Sequence, residues 1–203
     1  MIYLIITTSI IDKRGDNPQD PALRENQYKA GIASALDKIK GTQIVPIIVE
    51  NNGERKTFLD DFGIDVLYTD TNNTKTHYGN RELRDIMDTI KHFNIKDEDM
   101  IIKFTGRYPM IDNSFVKDII ENPETDCFLR FGSFLNPVNY PMGDCITGLI
   151  AMRCKYVKLV EFVPEYTSIE WSWAKTATSI ENKKLVDKLG FVCYAFNKTD
   201  LVL

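Results

Sequence analysis

The sequence predicts an α/β fold with a mostly parallel central sheet and helices on both of its faces. Short runs of β-branched and apolar residues recur along the first half of the chain, and segments with helical spacing of apolar residues lie between them. This alternation implies right-handed crossover connections between parallel strands. The 203 residues are enough for one sizeable domain with a buried core.

The first half contains four predicted strands. They are "IYLIITT" (2–8), "QIVPIIVE" (43–50), "IDVLYTD" (64–70) and "DMIIKFT" (99–105). Pro46 lies inside the second run and indicates an irregularity or a sheet edge, because proline cannot donate a ladder hydrogen bond. Helical spacing predicts helices over 24–40 and 79–93, and a short helix over 54–62 that Gly63 would end. The first half is therefore a Rossmann-like α/β layer.

The second half has a mixed pattern. Strands are predicted in "DCFLRFGSF" (126–134), "CITGLIAMR" (145–153) and "LGFVCYAF" (189–196), with a helix over 168–180. We therefore expect one domain, residues 1–203, with two functions. A parallel nucleotide-binding half (1–112) is followed by a mixed half (113–203) that would serve the second function.

Composition excludes several function classes. The net charge is −4 and the basic residues form no long block, which argues against a general nucleic-acid binder. No run approaches the roughly 20 apolar residues of a membrane span, and the opening "MIYLIITTSI" lacks the features of a signal peptide, so a cytoplasmic protein is expected. The four cysteines are scattered, which favours buried reduced thiols over zinc or disulfides.

Polar residues follow the predicted strands, where open parallel sheets bind their ligands. Thr7, Thr8 and Ser9 follow the first strand, 51–52 the second, and 70–72 the third. Residues 10–23 form a long polar loop, from which Arg14, and Arg24 near Tyr28, could reach a phosphate. Dinucleotide-binding, P-loop and α/β-hydrolase signatures are absent from the sequence.

The fourth strand ends in "KFTGRYPM" (103–110), which joins positive charge, a glycine and an aromatic hydroxyl. Lys103 and Arg107 supply charge, Thr105 and Tyr108 supply hydroxyls, and Gly106 permits close approach of a ligand. The alternative is a β-turn in which the arginine pairs with a carboxylate and the tyrosine packs. The position and chemistry favour an anion site.

Four stretches of the chain together resemble a GT-A-type glycosyltransferase. They are the "ITTS" end of the first strand, "GNREL" at a helix start, "IIKFTGRY" and "DCITGLIAMR". The likeness is to the small sugar-transferring enzymes of large DNA viruses and of bacterial surface-polysaccharide clusters, and it covers nearly the whole chain. It implies a hexosyl- or pentosyltransferase with a nucleoside-diphosphate sugar across the first and fourth strand ends. It also implies a glycan or glycoprotein acceptor against the second half.

The sequence departs from that family at one position. GT-A enzymes usually carry D-x-D after the fourth strand, where carboxylates bind Mn²⁺ or Mg²⁺, whereas this chain has Thr105-Gly106-Arg107. Either cationic side chains replace the metal, or a nearby carboxylate such as Asp112 supplies a ligand.

Two carboxylates in the second half are candidates for acid–base catalysis. Glu170 lies in "SIEWSWAK", where Trp171 and Trp173 follow it closely, and Asp144 precedes a strand. A carboxylate can remove the acceptor proton, and aromatic faces support sugar rings. Their structural alternatives are a solvated helix residue for Glu170, a turn cap for Asp144 and core packing for the tryptophans.

Two other functions remain open. A sugar-1-phosphate nucleotidyltransferase would need a glycine-rich basic loop after the first strand, and "DKRGDNP" (12–18) has a single glycine. A non-catalytic carbohydrate-binding relative is the third hypothesis, because a fold does not imply a function.

Overall fold

A computed structural model describes residues 1–11, 19–53, 55–73, 77–132, 143–194 and 200–203. The strands of these ranges are β1 (Ile2–Thr8), β2 (Ile44–Glu50), β3 (Asp65–Tyr68), β4 (Met100–Thr105), β5 (Cys127–Leu129), β6 (Leu149–Arg153), β7 (Lys183–Leu185), β8 (Val192–Tyr194) and β9 (Asp200–Val202). The α-helices are α1 (Pro21–Ile39), α2 (Tyr78–His92), α3 (Ser114–Glu121), α4 (Cys154–Val157) and α5 (Ile169–Ser179). Short 3₁₀ helices cover Phe58–Phe62 and Thr71–Asn73.

Strands from both halves of the chain join one sheet. Among the described residues it has seven strands in the order β3-β2-β1-β4-β6-β5-β7. Strands β1 to β4 are mutually parallel, β6 is antiparallel to both β4 and β5, and β7 is parallel to β5. Strands β8 and β9 form a separate antiparallel pair. The predicted parallel half and mixed half are thus confirmed.

Helices cover both faces of the sheet, as predicted. Ile32 of α1 and Phe115 of α3 belong to the apolar layer on one face. Ile86 of α2 and Trp173 of α5 belong to the layer on the other. Burial on both faces explains why β1 and β4 are almost continuously apolar.

Local signals account for most element boundaries. Gly63 ends the first 3₁₀ helix with a left-handed φ of 67°, as predicted. Pro46 lies in an interior strand, but the pairing of β2 with β3 begins only at Ile47, so the strand is locally an edge at the proline. Helix α3 was not predicted from the sequence, because its eight residues span barely two turns.

Three helices begin at the edge of the sheet where β1 to β4 end. Helix α1 is the next helix after β1 in the chain, and α2 follows β3 after a short 3₁₀ helix. Helix α5 leads into β7, which runs in the same direction as β1 to β4. Asp20 caps α1, which has Pro21 in its first turn, and His77 caps α2. All four cysteines are buried and none forms a disulfide. Within the described ranges, no helix is long and apolar enough to cross a membrane.

Candidate active site

The carboxyl ends of β1 to β4 lie side by side and form the floor of the candidate site. Thr8 pairs in register with Glu50, which pairs with Tyr68, and on the other side Thr7 pairs with Thr105. The strand order reverses between β1 and β4, because β2 lies on one side of β1 and β4 on the other. Open α/β sheets bind ligands at such a crevice.

Arg24 and Tyr28 hold the chain that leaves β1. The Arg24 guanidinium donates from Nε to the Ser9 carbonyl at 2.6 Å and from Nη1 to Gln19 at 3.0 Å. The Tyr28 hydroxyl accepts from the Ser9 amide at 2.9 Å. Both Arg24 and Tyr28 are buried, and burial raises the pKa of the tyrosine. Their described contacts position the loop after β1, and Ser9 remains half-buried at the crevice.

Glu50 is a fully buried carboxylate that joins the ends of β1 and β2. It accepts the Thr8 hydroxyl at 2.6 Å, the Asn52 amide at 3.0 Å and the Ile10 amide at 3.2 Å. Burial raises the pKa of Glu50, and these donors oppose that shift. Glu50 was not among the residues predicted for the site, although an ionisable group that ends the apolar run "IVPIIVE" needs buried partners.

A chain of hydrogen bonds joins Glu50 to helix α2, and every donor in it lies on the α2 side of its acceptor. Asn52 donates its side-chain amide to Glu50, and its own Oδ1 accepts from Asn72 at 2.6 Å. The Oδ1 of Asn72 in turn accepts from Arg81 at 2.6 Å. Because each amide donates to the group before it, the orientation of both asparagines is fixed, and Arg81 is held at the crevice.

A second buried carboxylate, Asp85, joins the ends of β2 and β3 to α2. It accepts from Thr69 at 2.8 Å, Thr71 at 2.6 Å and Asn51 at 3.0 Å. Burial raises the pKa of Asp85 to about 7, and these three donors oppose the rise. The sequence carried a signal for it: Glu82 and Asp85 are three apart on a helix, so they share one side.

Lys103 lies beneath the crevice and is almost fully buried. Its ammonium group contacts Glu82 at 2.9 Å, donates to the Thr105 hydroxyl at 2.8 Å and donates to the Thr147 carbonyl. Thr7 also donates to Glu82. An ammonium group has three donors, and Lys103 uses all three on the protein. The predicted direct contact of Lys103 with a donor is therefore not supported by this geometry.

The turn after β4 presents Arg107 at the crevice. Arg107 is half-buried, lies 5.0 Å above the Tyr108 ring and donates to the Tyr108 hydroxyl at 3.2 Å. Tyr108 is buried and stacks on Phe191 at 5.5 Å, and burial raises its pKa. A Cβ on Gly106 would lie 2.7 Å from Ile6, so the protein's own packing requires this glycine.

Asp144 and Glu170 lie together on the other side of the crevice. Thr147 links them to the β4 end, because its carbonyl accepts from Lys103 and its hydroxyl donates to Glu170 at 3.4 Å. Glu170 also accepts from Ser168, while Asp144 accepts the Cys145 amide at 2.9 Å. Burial, and then the Glu170 charge, raise the pKa of Asp144 to about 6. A carboxylate with this pKa is suited to accept a proton near neutral pH.

The remaining predicted residues lie elsewhere. Asp112 is exposed and accepts the Ser114 hydroxyl at 2.6 Å and the Ser114 amide at 2.9 Å. These two hydrogen bonds, and then the charges of Lys188 and Lys38, lower the pKa of Asp112. Since Lys38 is in the last turn of α1, Asp112 lies near the opposite edge of the sheet. Its carboxylate accepts from Ser114 at the start of α3, which is not the geometry of a metal ligand. Arg14 lies outside the described residues.

Carboxylate, cysteine and histidine side chains do not gather into a metal site in the part of the chain that the structure describes. At the β4 end the nearest carboxylate, Glu82, already contacts Lys103, Thr7 and Thr105. The positive charges of Lys103 and Arg107 would also repel a divalent cation there. These residues do not fit the metal site of D-x-D enzymes.

No family model and no curated protein matches the chain. Solved structures do match its fold. A provisionally assigned nucleotide-diphospho-sugar transferase from Desulfovibrio desulfuricans G20 is 8% identical with a TM-score of 0.59, over 91% of this chain and 79% of that one. The chain has a GT-A-like fold.

Two further structures extend the comparison. A mannosyltransferase from Pyrobaculum calidifontis, in complex with GDP-Man and Mn²⁺, is 8% identical with a TM-score of 0.53, over 91% of this chain and 53% of that one. The inositol-1-phosphate CTP transferase from T. maritima is 16% identical with a TM-score of 0.53, over 91% and 83%. At these identities the likeness concerns the fold alone, and the fold is shared by sugar transferases and nucleotidyltransferases.

Proposed function

We propose that this GT-A-like chain is a glycosyltransferase that moves a sugar from a nucleoside-diphosphate sugar to a hydroxyl of a glycan. One observation carries the proposal. A carboxylate pair, Asp144 and Glu170, lies at the same crevice as the cationic β4 end, and Thr147 hydrogen-bonds to both sides. Transfer to a hydroxyl needs a base for its proton and positive charge for the departing diphosphate.

The donor lies across the ends of β1 and β4 in this proposal. Ser9 is at the nucleotide end, and Arg107 and Arg81 are the guanidinium groups at the crevice that suit phosphate oxygens. Arg24 and Tyr28 position the loop after β1 through their contacts with Ser9, while Thr8 donates to Glu50 and Thr7 donates to Glu82. Lys103 acts from beneath, by fixing Glu82, Thr105 and Thr147.

The chemical step uses Asp144 as the base. Its carboxylate takes the proton of the acceptor hydroxyl, the acceptor oxygen bonds to the anomeric carbon, and the bond from that carbon to the phosphate oxygen breaks. The electron pair leaves on the nucleoside diphosphate, whose charge Arg107 stabilises. Burial, and then the negative charge of Glu170, raise the pKa of Asp144 to about 6, which keeps this carboxylate a usable base.

The first test of the proposal is nucleotide binding, which can be measured before any turnover. Calorimetry with uridine, guanosine, cytidine and thymidine diphosphates should give saturable binding of at least one nucleotide to the wild-type chain. We expect binding and turnover to persist in excess EDTA, because Arg107 and Arg81 supply positive charge at the crevice without a metal ion. Binding of none of the four nucleotides would contradict the proposal, and binding that requires added Mn²⁺ would contradict its cationic diphosphate site.

The alternative is a nucleotidyltransferase that joins a nucleoside triphosphate to a sugar phosphate. The observation in its favour is the equal fold likeness to the CTP transferase from T. maritima, with the same TM-score of 0.53 as the mannosyltransferase. The two activities release different products, nucleoside diphosphate in the first case and pyrophosphate in the second. The loop that would bind the triphosphate, residues 12–18, lies outside the described residues.

A further inference from the structure

Three exposed aromatic side chains lie around the beginnings of α2 and α5. Tyr78 is 57% exposed, Tyr166 is 99% exposed and Trp171 is 58% exposed. We call these three residues the aromatic rim. Single exposed apolar residues are ordinary, whereas a group of them beside a candidate site indicates a binding surface.

Close packing brings the two helix starts together. A Cβ on Gly79 would lie 2.4 Å from Ile169, so Gly79 lets α2 and α5 approach each other closely. Tyr78 precedes this contact in α2, and Glu170 and Trp171 follow it in α5. The rim is therefore continuous with the carboxylate that takes part in the proposed reaction.

The two tryptophans of α5 have different environments. Trp173 is 3% exposed and belongs to the apolar layer between α5 and the sheet. Trp171 is on the outer side of the helix with Lys175, which is also exposed. Core packing therefore explains Trp173, whereas no contact among the described residues explains a tryptophan at position 171.

The charge next to the rim restricts what can bind. Asp144 and Glu170 place two carboxyl groups next to the rim, and the described hydrogen bonds to them come from uncharged donors: the Cys145 amide, the Thr147 hydroxyl and the Ser168 hydroxyl. Like-charge repulsion from the two carboxyl groups therefore disfavours a sugar that carries its own carboxylate.

We propose that the aromatic rim is the acceptor subsite and that it takes a neutral sugar ring, stacked on Trp171 with a hydroxyl directed at Asp144 and Glu170. Pyranose rings have an apolar C–H face, which suits an aromatic side chain, and a polar edge, which suits carboxylates. The inference rests on the proposed function for the meaning of "acceptor", but binding of a sugar to the rim can be measured without turnover.

The binding experiment uses tryptophan fluorescence, because Trp171 and Trp173 are the two tryptophans of the chain. Methyl glucopyranoside should change the wild-type emission saturably in the presence of a nucleoside diphosphate, and methyl glucuronide should bind about tenfold more weakly or less. Trp171→Phe should lose the signal, because the buried Trp173 does not contact the sugar. An absent response, an equal response to the glucuronide or a response that survives in Trp171→Phe would overturn the inference.

The kinetic experiment compares variants on a neutral glycoside acceptor. Trp171→Ala should raise the acceptor KM about tenfold, equivalent to about 1.4 kcal/mol, with the nucleoside-diphosphate affinity unchanged, and Trp171→Phe should recover most of the loss. Phe162→Ala is the matched control, because Phe162 is 50% exposed and packs under Arg84 farther along α2. An equal effect of the control, or an oligomeric state that changes in Trp171→Ala, would overturn the subsite. A wild-type chain that binds the neutral glycoside at Trp171 but transfers nothing contradicts the proposed function and leaves the sugar site standing.

Discussion

Replacing Lys103 with methionine distinguishes a buried ion pair from a direct donor ligand. Methionine keeps the length and apolar stem of lysine but removes the charge and all three donors. In the structure this removes the 2.9 Å contact with Glu82, the bond to Thr105 and the bond to the Thr147 carbonyl. The lysine side chain is 2% exposed and the Glu82 side chain 26%, so water can replace the lost partner only in part.

The expected loss of stability follows from that burial. Removing one partner of a buried pair costs roughly 3–5 kcal/mol, because the other charge is left uncompensated. For a chain of this length, about 1 kcal/mol shifts the melting temperature by roughly 2–4 °C, so Lys103→Met should melt roughly 6–20 °C below the wild type. Adding Glu82→Leu should restore part of the loss, because the double variant leaves no unpaired charge.

Urea denaturation and nucleoside-diphosphate calorimetry on the same samples measure both quantities. The matched control is Lys158→Met, since Lys158 pairs with Asp97 at 2.6 Å but is 42% exposed, and an exposed pair contributes under about 1 kcal/mol. A Lys103→Met variant that unfolds like the wild type and has lost its nucleotide affinity would show instead that Lys103 binds the nucleotide directly.

Three further predictions concern the crevice. Asp144→Asn should lower turnover by roughly 10²- to 10⁴-fold. Glu170→Gln should move the acidic limb of the pH–rate profile to lower pH, because removing the Glu170 charge lowers the pKa of Asp144. A profile that does not move would contradict the pairing of the two carboxylates. Arg107→Ala should weaken nucleoside-diphosphate binding at least about tenfold, since a charge-assisted hydrogen bond contributes roughly 1.5–3 kcal/mol. Arg107→Lys should recover part of the loss. Unchanged affinity with a lower melting temperature would mean that Arg107 only stabilises its turn. For Asp85, the folded-state pKa of about 7 exceeds the ordinary 3.8, so the folded chain binds this proton more tightly and its contribution to stability falls as pH rises from about 4 to about 7. Wild type should therefore lose roughly 2 to 3 kcal/mol relative to Asp85→Asn between pH 5 and pH 8 in urea denaturation, and a difference independent of pH would contradict the raised pKa.

Periodicity in the sequence predicted the elements with long, regular patterns. Helix α2 and strands β1 and β4 were found within one or two residues of their observed bounds. The order of the second half was not predictable, because β6 lies between β4 and β5 through pairings distant in sequence. The strand predicted over 189–196 forms as Val192–Tyr194 outside the main sheet for the same reason.

The location of the candidate site was predictable, but the role of each residue within it was not. Ligands bind at strand ends in this fold class, and that rule selected Ser9 and Arg107. The same rule cannot distinguish a side chain that faces the crevice from one that supports it. Lys103, in the run "MIIKF", is the clearest example, because an isolated lysine among buried residues requires an acidic partner, and that partner, Glu82, comes from another element.

Identifying the released product distinguishes a glycosyltransferase from a nucleotidyltransferase. The wild-type chain is incubated in one series with nucleoside-diphosphate sugars and a neutral glycoside, and in another with nucleoside triphosphates and a sugar phosphate. Phosphorus NMR follows both. We expect nucleoside diphosphate together with a new glycosidic bond in the first series and no pyrophosphate in the second. Pyrophosphate release in the second series, with no nucleoside diphosphate formed in the first, would contradict it.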